Sequence, residues 1–191
     1  MEPCLAENDK KMFYTLLDKA NVYFEYGSGG STYQANIRKN IVKMYSVESD
    51  LEWSNILQKK IKSSKVSFFF NEMGTLPNTW GNPGPNSTKT QWINYSNHIR
   101  NLSKEEQEKI DLILIDGRFR VACCLKCFDV IKSSCLIAFD DFLNRKHYHI
   151  VLDYYDIVWK TKDNRMVILK KKKNINSIPE DIIQKYELIR G

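Results

Sequence analysis

The chain has 191 residues, 42% of them apolar, with a formal charge of +6 at pH 7, enough material for one domain with a core of its own. No apolar run reaches membrane-span length, and the N-terminus lacks the basic-then-apolar layout of a secretory signal. Five cysteines, three of them crowded at Cys123, Cys124 and Cys127, do not read as a disulfide framework. A reduced, cytoplasmic, single-domain protein with no membrane partner is expected, and its charge favours anionic partners, either nucleic acid or a phosphorylated small molecule.

Residues 8–20 carry Met12, Phe13, Leu16, Leu17 and Ala20 at helical spacing, behind Asn8 or Asp9 as N-cap. A buried strand follows over 22–26 and runs into Gly27-Ser28-Gly29-Gly30, which opens a helix over 32–40. Such a turn brings bare N–H groups and a helix N-terminus up to a ligand. The dinucleotide fingerprint needs a third glycine, and Thr32 stands in its place. What precedes the turn is a carboxylate, Glu25, which repels a pyrophosphate and suits a cationic, amine-bearing ligand.

The second strand, 42–48, ends in Glu48, about 20 residues past the turn, where an acid accepts both hydroxyls of a ribose. The other reading of Glu48 is an N-cap for the helix over 51–61, for which Asp50 is better placed. Residues 66–70 form a third, continuously apolar strand. Residues 75–101, rich in Gly, Pro, Asn and Ser, carry Trp80, Trp92 and Tyr95. They are expected to form a lid with a short helix near 91–100, the alternative being a surface insertion without a role. The strand over 111–116 ends in Asp116-Gly117-Arg118-Phe119-Arg120, and the helix over 121–132 follows. The strand over 134–139 ends in Asp140-Asp141. A helix over 148–155, a hairpin of 157–162 with 165–171, and a short helix or tail over 181–189 complete the chain. Cys124-x-x-Cys127 lacks a second pair at zinc spacing and reads as helix packing.

This order predicts an α/β sandwich: a mostly parallel seven-stranded sheet closed by a C-terminal antiparallel hairpin. It resembles the Rossmann-like class I S-adenosylmethionine-dependent methyltransferases, on the strength of Glu25-x-Gly27-x-Gly29-Gly30 and of residues 45–53. Asp116-Gly117-Arg118-Phe119-Arg120-Val121-Ala122 would mark a branch of that superfamily. The resemblance implies S-adenosyl-L-methionine as cofactor. Glu25, Tyr26, Gly27, Ser28 and Gly29 would take its methionine part, Glu48 and Ser49 the ribose, and Glu72 and Met73 the adenine, with Asp116 beside it. Asp116, Asp140 and Asp141 resemble the Mg²⁺ site of macrocin-type sugar O-methyltransferases, except that Arg118 stands where those enzymes have an acid.

The catalytic set expected is Asp116, Asp141, His147 and Arg118, with His147 as base; His98, on the lid, is less well placed. Arg118, Arg120, Trp80 and Asp140 are expected to bind substrate, the arginines gripping a phosphate or carboxylate unless they pair with Asp116 or Asp140. The reading is methyl transfer to a small polar acceptor, most simply a sugar or nucleotide-sugar hydroxyl, with room for a homodimer. Two rivals stand beside it: RNA methylation, and a non-catalytic partner subunit that keeps the fold.

Overall fold

The computed structural model describes residues 1–190. The elements run α1 (Glu7–Leu17), β1 (Val22–Tyr26), α2 (Gly30–Ile37), β2 (Lys43–Glu48), α3 (Leu51–Lys60) and β3 (Val66–Phe70). Then come α4 (Lys89–Asn97), α5 (Lys104–Lys109), β4 (Leu112–Ile115), α6 (Arg120–Cys127) and β5 (Leu136–Phe139). A 3₁₀ helix (Lys146–Asp153), β6 (Tyr155–Lys160), β7 (Val167–Lys171) and α7 (Glu180–Glu187) close the chain. All seven strands join one sheet in the order β3-β2-β1-β4-β5-β7-β6. β1 to β5 are parallel, while β7 is antiparallel to both β5 and β6.

Successive residues of a strand face opposite sides of the sheet, and each side buries its own core. Tyr23, Met44, Leu112, Leu114 and Ile168 pack with Phe13 and Leu17 of α1 and with Ala35 of α2. Phe24, Tyr26, Tyr45, Val47, Ile113 and Phe139 pack with Ile99 and with Tyr95 of α4, with Leu125 of α6 and with Ile183 of α7. The strand order reverses between β1 and β4, so the loops after these strands part and leave a crevice at their carboxyl ends.

Two expectations need correction, and one element lies outside them. The segment 75–101 is not a lid throughout: α4 inside it is core, with Tyr95 and Ile99 buried against the sheet. The helix expected over 148–155 is a 3₁₀ helix that stops at Asp153, because Tyr155 already pairs with Lys171 in the hairpin. α5 was unexpected, although Ser103 and Glu106 form a reciprocal capping box before it, a local pattern visible in sequence. Among the described residues no helix is long and apolar enough to cross a membrane.

Candidate active site

The crevice holds a cavity of about 810 Å³, lined by the glycine turn, the ends of β2, β4 and β5, and part of the 74–88 loop. Its first wall is the turn itself. Gly27 has φ +93°, and a Cβ there would lie 2.8 Å from the Gly117 N. This glycine lets the loops after β1 and β4 touch back to back. A Cβ on Gly30 would lie 2.1 Å from the Glu2 carbonyl oxygen, because residues 1–4 cross the start of α2 and join the cavity wall. Gly29 is extended at φ 175° and open, with only the Trp53 Nε1 within 4.0 Å. Gly27→Ala is therefore expected to destabilise by about 1–3 kcal/mol, from left-handed strain plus a backbone collision. Gly29→Ala is expected to fold as the parent does, and thermal unfolding of the pair checks this.

The sequence assigns Glu25 to the cofactor, but the structure sets it one layer behind the cavity. Glu25 is fully buried. Its carboxylate accepts hydrogen bonds from Tyr23 (2.8 Å), Ser31 (2.7 Å), Ser46 (2.6 Å) and Thr32. Burial pushes its pKa up, and the four hydroxyls partly offset this. Since Thr32 also accepts from the Gly29 N at 2.8 Å, the caged carboxylate braces the turn from below. Tyr26 is likewise buried, its hydroxyl donating to the Ser96 carbonyl at 2.8 Å beneath the loop after α4.

Glu48 does reach the cavity. Its Oε2 accepts from the Ser28 N (3.0 Å), and its Oε1 from the Ser49 N (2.7 Å) and the Asp50 N (2.9 Å). Burial raises its pKa to about 7, with the three N–H donors pulling the other way. The N-cap of α3 is Asp50, which accepts from the Trp53 N at 3.0 Å, so capping does not explain Glu48. The Trp53 indole donates to the Ser28 carbonyl at 2.8 Å and completes this corner. Ser49 donates to the Gly81 carbonyl at 3.0 Å, which seats the 74–88 loop on the end of β2. Trp80, at 77% exposure, stands on the rim of that loop. Glu72 and Met73 are not part of the lining: Glu72 is exposed and closes a turn onto the Gly74 N, and Met73 is buried in the core.

At the far wall the three aspartates do not hold a metal. Arg120 is buried and spans them, its Nη2 3.1 Å from Asp116, its Nη1 3.8 Å from Asp140 and 3.4 Å from Asp141. Its remaining donors go to the Gly117 carbonyl (3.0 Å) and the Asp140 carbonyl (2.7 Å). Asp141 is further gripped by Arg145 at 2.9 Å and Arg165 at 2.5 Å. Three guanidiniums take the space and most of the oxygens that a divalent cation would use. Among the described residues no group of His, Cys, Asp or Glu is arranged to hold a metal.

The carboxylates differ in kind. Burial raises Asp140 to about 7, aided by the charges of Asp116 and Asp141. Asp116 is also raised, mainly by burial, although Arg120 opposes this. Asp141 is lowered: burial pushes up, but Arg165, Arg120 and Arg145 outweigh it. Asp140 is only 2% exposed, and its Oδ1 has no hydrogen-bond partner among the described residues.

His147 is exposed, lies outside the cavity lining and packs edge-on against Tyr148. His149 stacks on Phe142 and His98 on Phe69, with burial lowering His98 to about 4. No histidine lines the cavity. Cys124 and Cys127 are buried and free, as helix packing requires. Sequence reasoning passed over Trp53, Tyr95, Asn82, Arg145 and Arg165, all in the lining. Of these only Arg145, close after the Asp140-Asp141 pair, carried a local signal.

No protein-family model matches the chain, and no curated protein does. Solved structures do. A methyltransferase-like protein (spo2022) from Silicibacter pomeroyi is 22% identical with a TM-score of 0.80, over 97% of this chain and 94% of that one. A Staphylococcus aureus protein named as a caffeoyl-CoA O-methyltransferase is 15% identical with a TM-score of 0.55, over 90% and 86%. The tRNA methyltransferase TrmK of B. subtilis is 11% identical with a TM-score of 0.53, over 88% and 67%. At these identities the likeness establishes the fold: this chain has the Rossmann-like methyltransferase architecture.

Proposed function

We propose that the protein is a cytoplasmic S-adenosylmethionine-dependent methyltransferase acting on a small polar acceptor, most simply a sugar or nucleotide-sugar hydroxyl. The observation that carries this reading is the corner in which the Glu48 carboxylate and the Gly27–Gly29 turn face one cavity, tied by the Ser28 N–H. The residues fit the cofactor: a ribose-type acid beside a turn whose Gly29 stands open on the cavity. When bound, S-adenosylmethionine supplies an electrophilic methyl whose C–S electron pair stays on sulfur as the methyl passes to the acceptor.

This chain's own residues position, exclude water and take a proton. Glu48 and Ser49 hold the ribose, and the 74–88 part of the loop closes over them as the lid. With His147 outside the cavity and Asp141 locked in three arginine pairs, the proton of the acceptor hydroxyl goes to Asp140, through its unpartnered Oδ1. Asp116, on the same guanidinium fork, supports that carboxyl. In-line positioning and proton removal then account for the chemistry. Methylation of RNA is the second reading, favoured by the net charge and by the TrmK likeness of fold.

Calorimetric titration with S-adenosylhomocysteine tests the proposal; absence of binding to well-folded protein removes it. The pH dependence is a second check. Ribose hydroxyls donate to an ionised carboxylate, and Glu48 is half-protonated near pH 7. Affinity for S-adenosylhomocysteine is expected to be constant above pH 8 and to weaken below 7, approaching tenfold per pH unit for one linked proton. Asp140→Asn is expected to keep this profile; a flattened profile in that variant would assign the titration to Asp140 instead.

A further inference from the structure

One guanidinium of the cavity is left out of its ion pairs. Arg120, Arg145 and Arg165 pair with Asp116, Asp140 and Asp141, as above. A fourth guanidinium, Arg118, lines the same wall and makes no ion pair with any described residue. Its Nη1 donates to the neutral Asn82 Oδ1 at 3.0 Å, and its Nε is buried with no partner among the described residues. A half-buried guanidinium without a counter-charge loses part of its hydration, and an anion arriving there recovers that cost. Burial and the neighbouring Arg120 accordingly weaken its hold on the proton, though an arginine stays charged at any working pH.

We propose that Arg118 is the docking point for an anionic group, a carboxylate or a phosphate, carried by the methyl acceptor. This rests on the methyltransferase reading and narrows its substrate class from small polar molecules to small anions. The fork geometry of a guanidinium matches either oxyanion in a bidentate way. The acceptor is the favoured source of that anion for a positional reason. The cofactor's own carboxylate already has a cationic pole at Gly29–Ser31, where the N-terminus of α2 opens onto the cavity. Arg118 comes instead from the loop after β4, on the wall that carries Asp140 and its unpartnered oxygen. An anion on Arg118 would leave the acceptor's hydroxyl to face that carboxyl.

The test is calorimetric titration of inorganic phosphate into protein saturated with S-adenosylhomocysteine. The parent, Arg118→Gln and Lys173→Gln are compared, the last removing an exposed charge away from the cavity. Phosphate is expected to bind the parent complex in the millimolar range. The affinity should fall by about tenfold or more in Arg118→Gln, the loss of one charge-assisted contact, and stay unchanged in Lys173→Gln. Equal binding in Arg118→Gln, or none in the parent complex, overturns the proposal. So does competition, in which S-adenosylhomocysteine expels phosphate, because the anion site then belongs to the cofactor's carboxylate. Failure of S-adenosylhomocysteine to bind at all removes the methyltransferase reading separately. The acceptor assignment falls with it, and the same variants titrated without it show whether Arg118 still binds an anion.

Discussion

Glu48→Ala is expected to weaken S-adenosylhomocysteine binding by about 10²–10⁴-fold while leaving a folded protein. Two hydroxyl-to-carboxylate hydrogen bonds to a ribose, at ~1.5–3 kcal/mol each for charged partners, account for that range. The same carboxylate gathers the N–H groups of Ser28, Ser49 and Asp50, so its loss also loosens the turn that would cradle the ligand. Those donors lie at the cavity wall, where water can replace the carboxylate, and the melting temperature should therefore move little. Glu48→Gln is expected to fare almost as badly. An amide has one acceptor oxygen, and its NH₂ end must then face at least one backbone N–H. Calorimetry reads the affinity and circular dichroism the fold. Parent-like affinity in Glu48→Ala would detach the β2 acid from the ligand altogether.

The two ends of this prediction were unequally legible in sequence. Glu48 could be found because its position depends only on one turn, one helix and one strand, a spacing that survives without tertiary knowledge. Glu25 looked equally good on the same grounds. Yet β1 pairs in parallel with β2 so that Glu25 sits beside Ser46, and the hydroxyls of α2 close around it. Which face of a doubly covered strand a residue points to is a matter of sheet register, and a continuous apolar strand has no alternation to reveal it.

The arginine wall shows the same limit. Arg120 and Asp116 are four residues apart and readable together, but Arg165 reaches Asp141 only because the β6–β7 hairpin folds back beside β5. An acid triad with a metal's donor set thus turned out to be an acid–arginine lattice, and nothing local to Asp140 and Asp141 could say so. His147 failed for a different reason. The segment after β5 takes a 3₁₀ path, which buries Tyr148 and turns His147 out to solvent.

The largest expected loss of stability comes from a residue that attracted no attention in sequence. Lys126, in the last turn of α6, has no exposed surface. Its ammonium meets the Glu187 carboxylate of α7, donates to the Ser96 Oγ of α4 at 2.9 Å and lies 3.4 Å from the Ile93 carbonyl. One cation thus ties three helices; burial weakens its hold on the proton, and the Glu187 carboxylate beside it opposes that. Lys126→Met removes the cation and strands the acid, which is expected to cost ~3–5 kcal/mol, or roughly 6–20 °C in melting temperature for a chain of this size. Lys126→Met with Glu187→Leu removes both charges and is expected to recover most of that loss, since an apolar pair can replace a buried ion pair nearly without penalty. The consequence extends to the cavity. Just beyond α7, the Arg190 carbonyl accepts the Phe119 N–H at 3.2 Å and its guanidinium lies 4.3 Å above the Trp92 ring. Phe119, in the left-handed conformation, directly follows Arg118. Loosening α7 in the single variant should therefore weaken phosphate binding at Arg118 as well, and the double variant should restore both. Denaturant unfolding and phosphate titration on the same three proteins check the two together. Recovery of stability without recovery of the anion site would show that α7 does not govern the Arg118 loop.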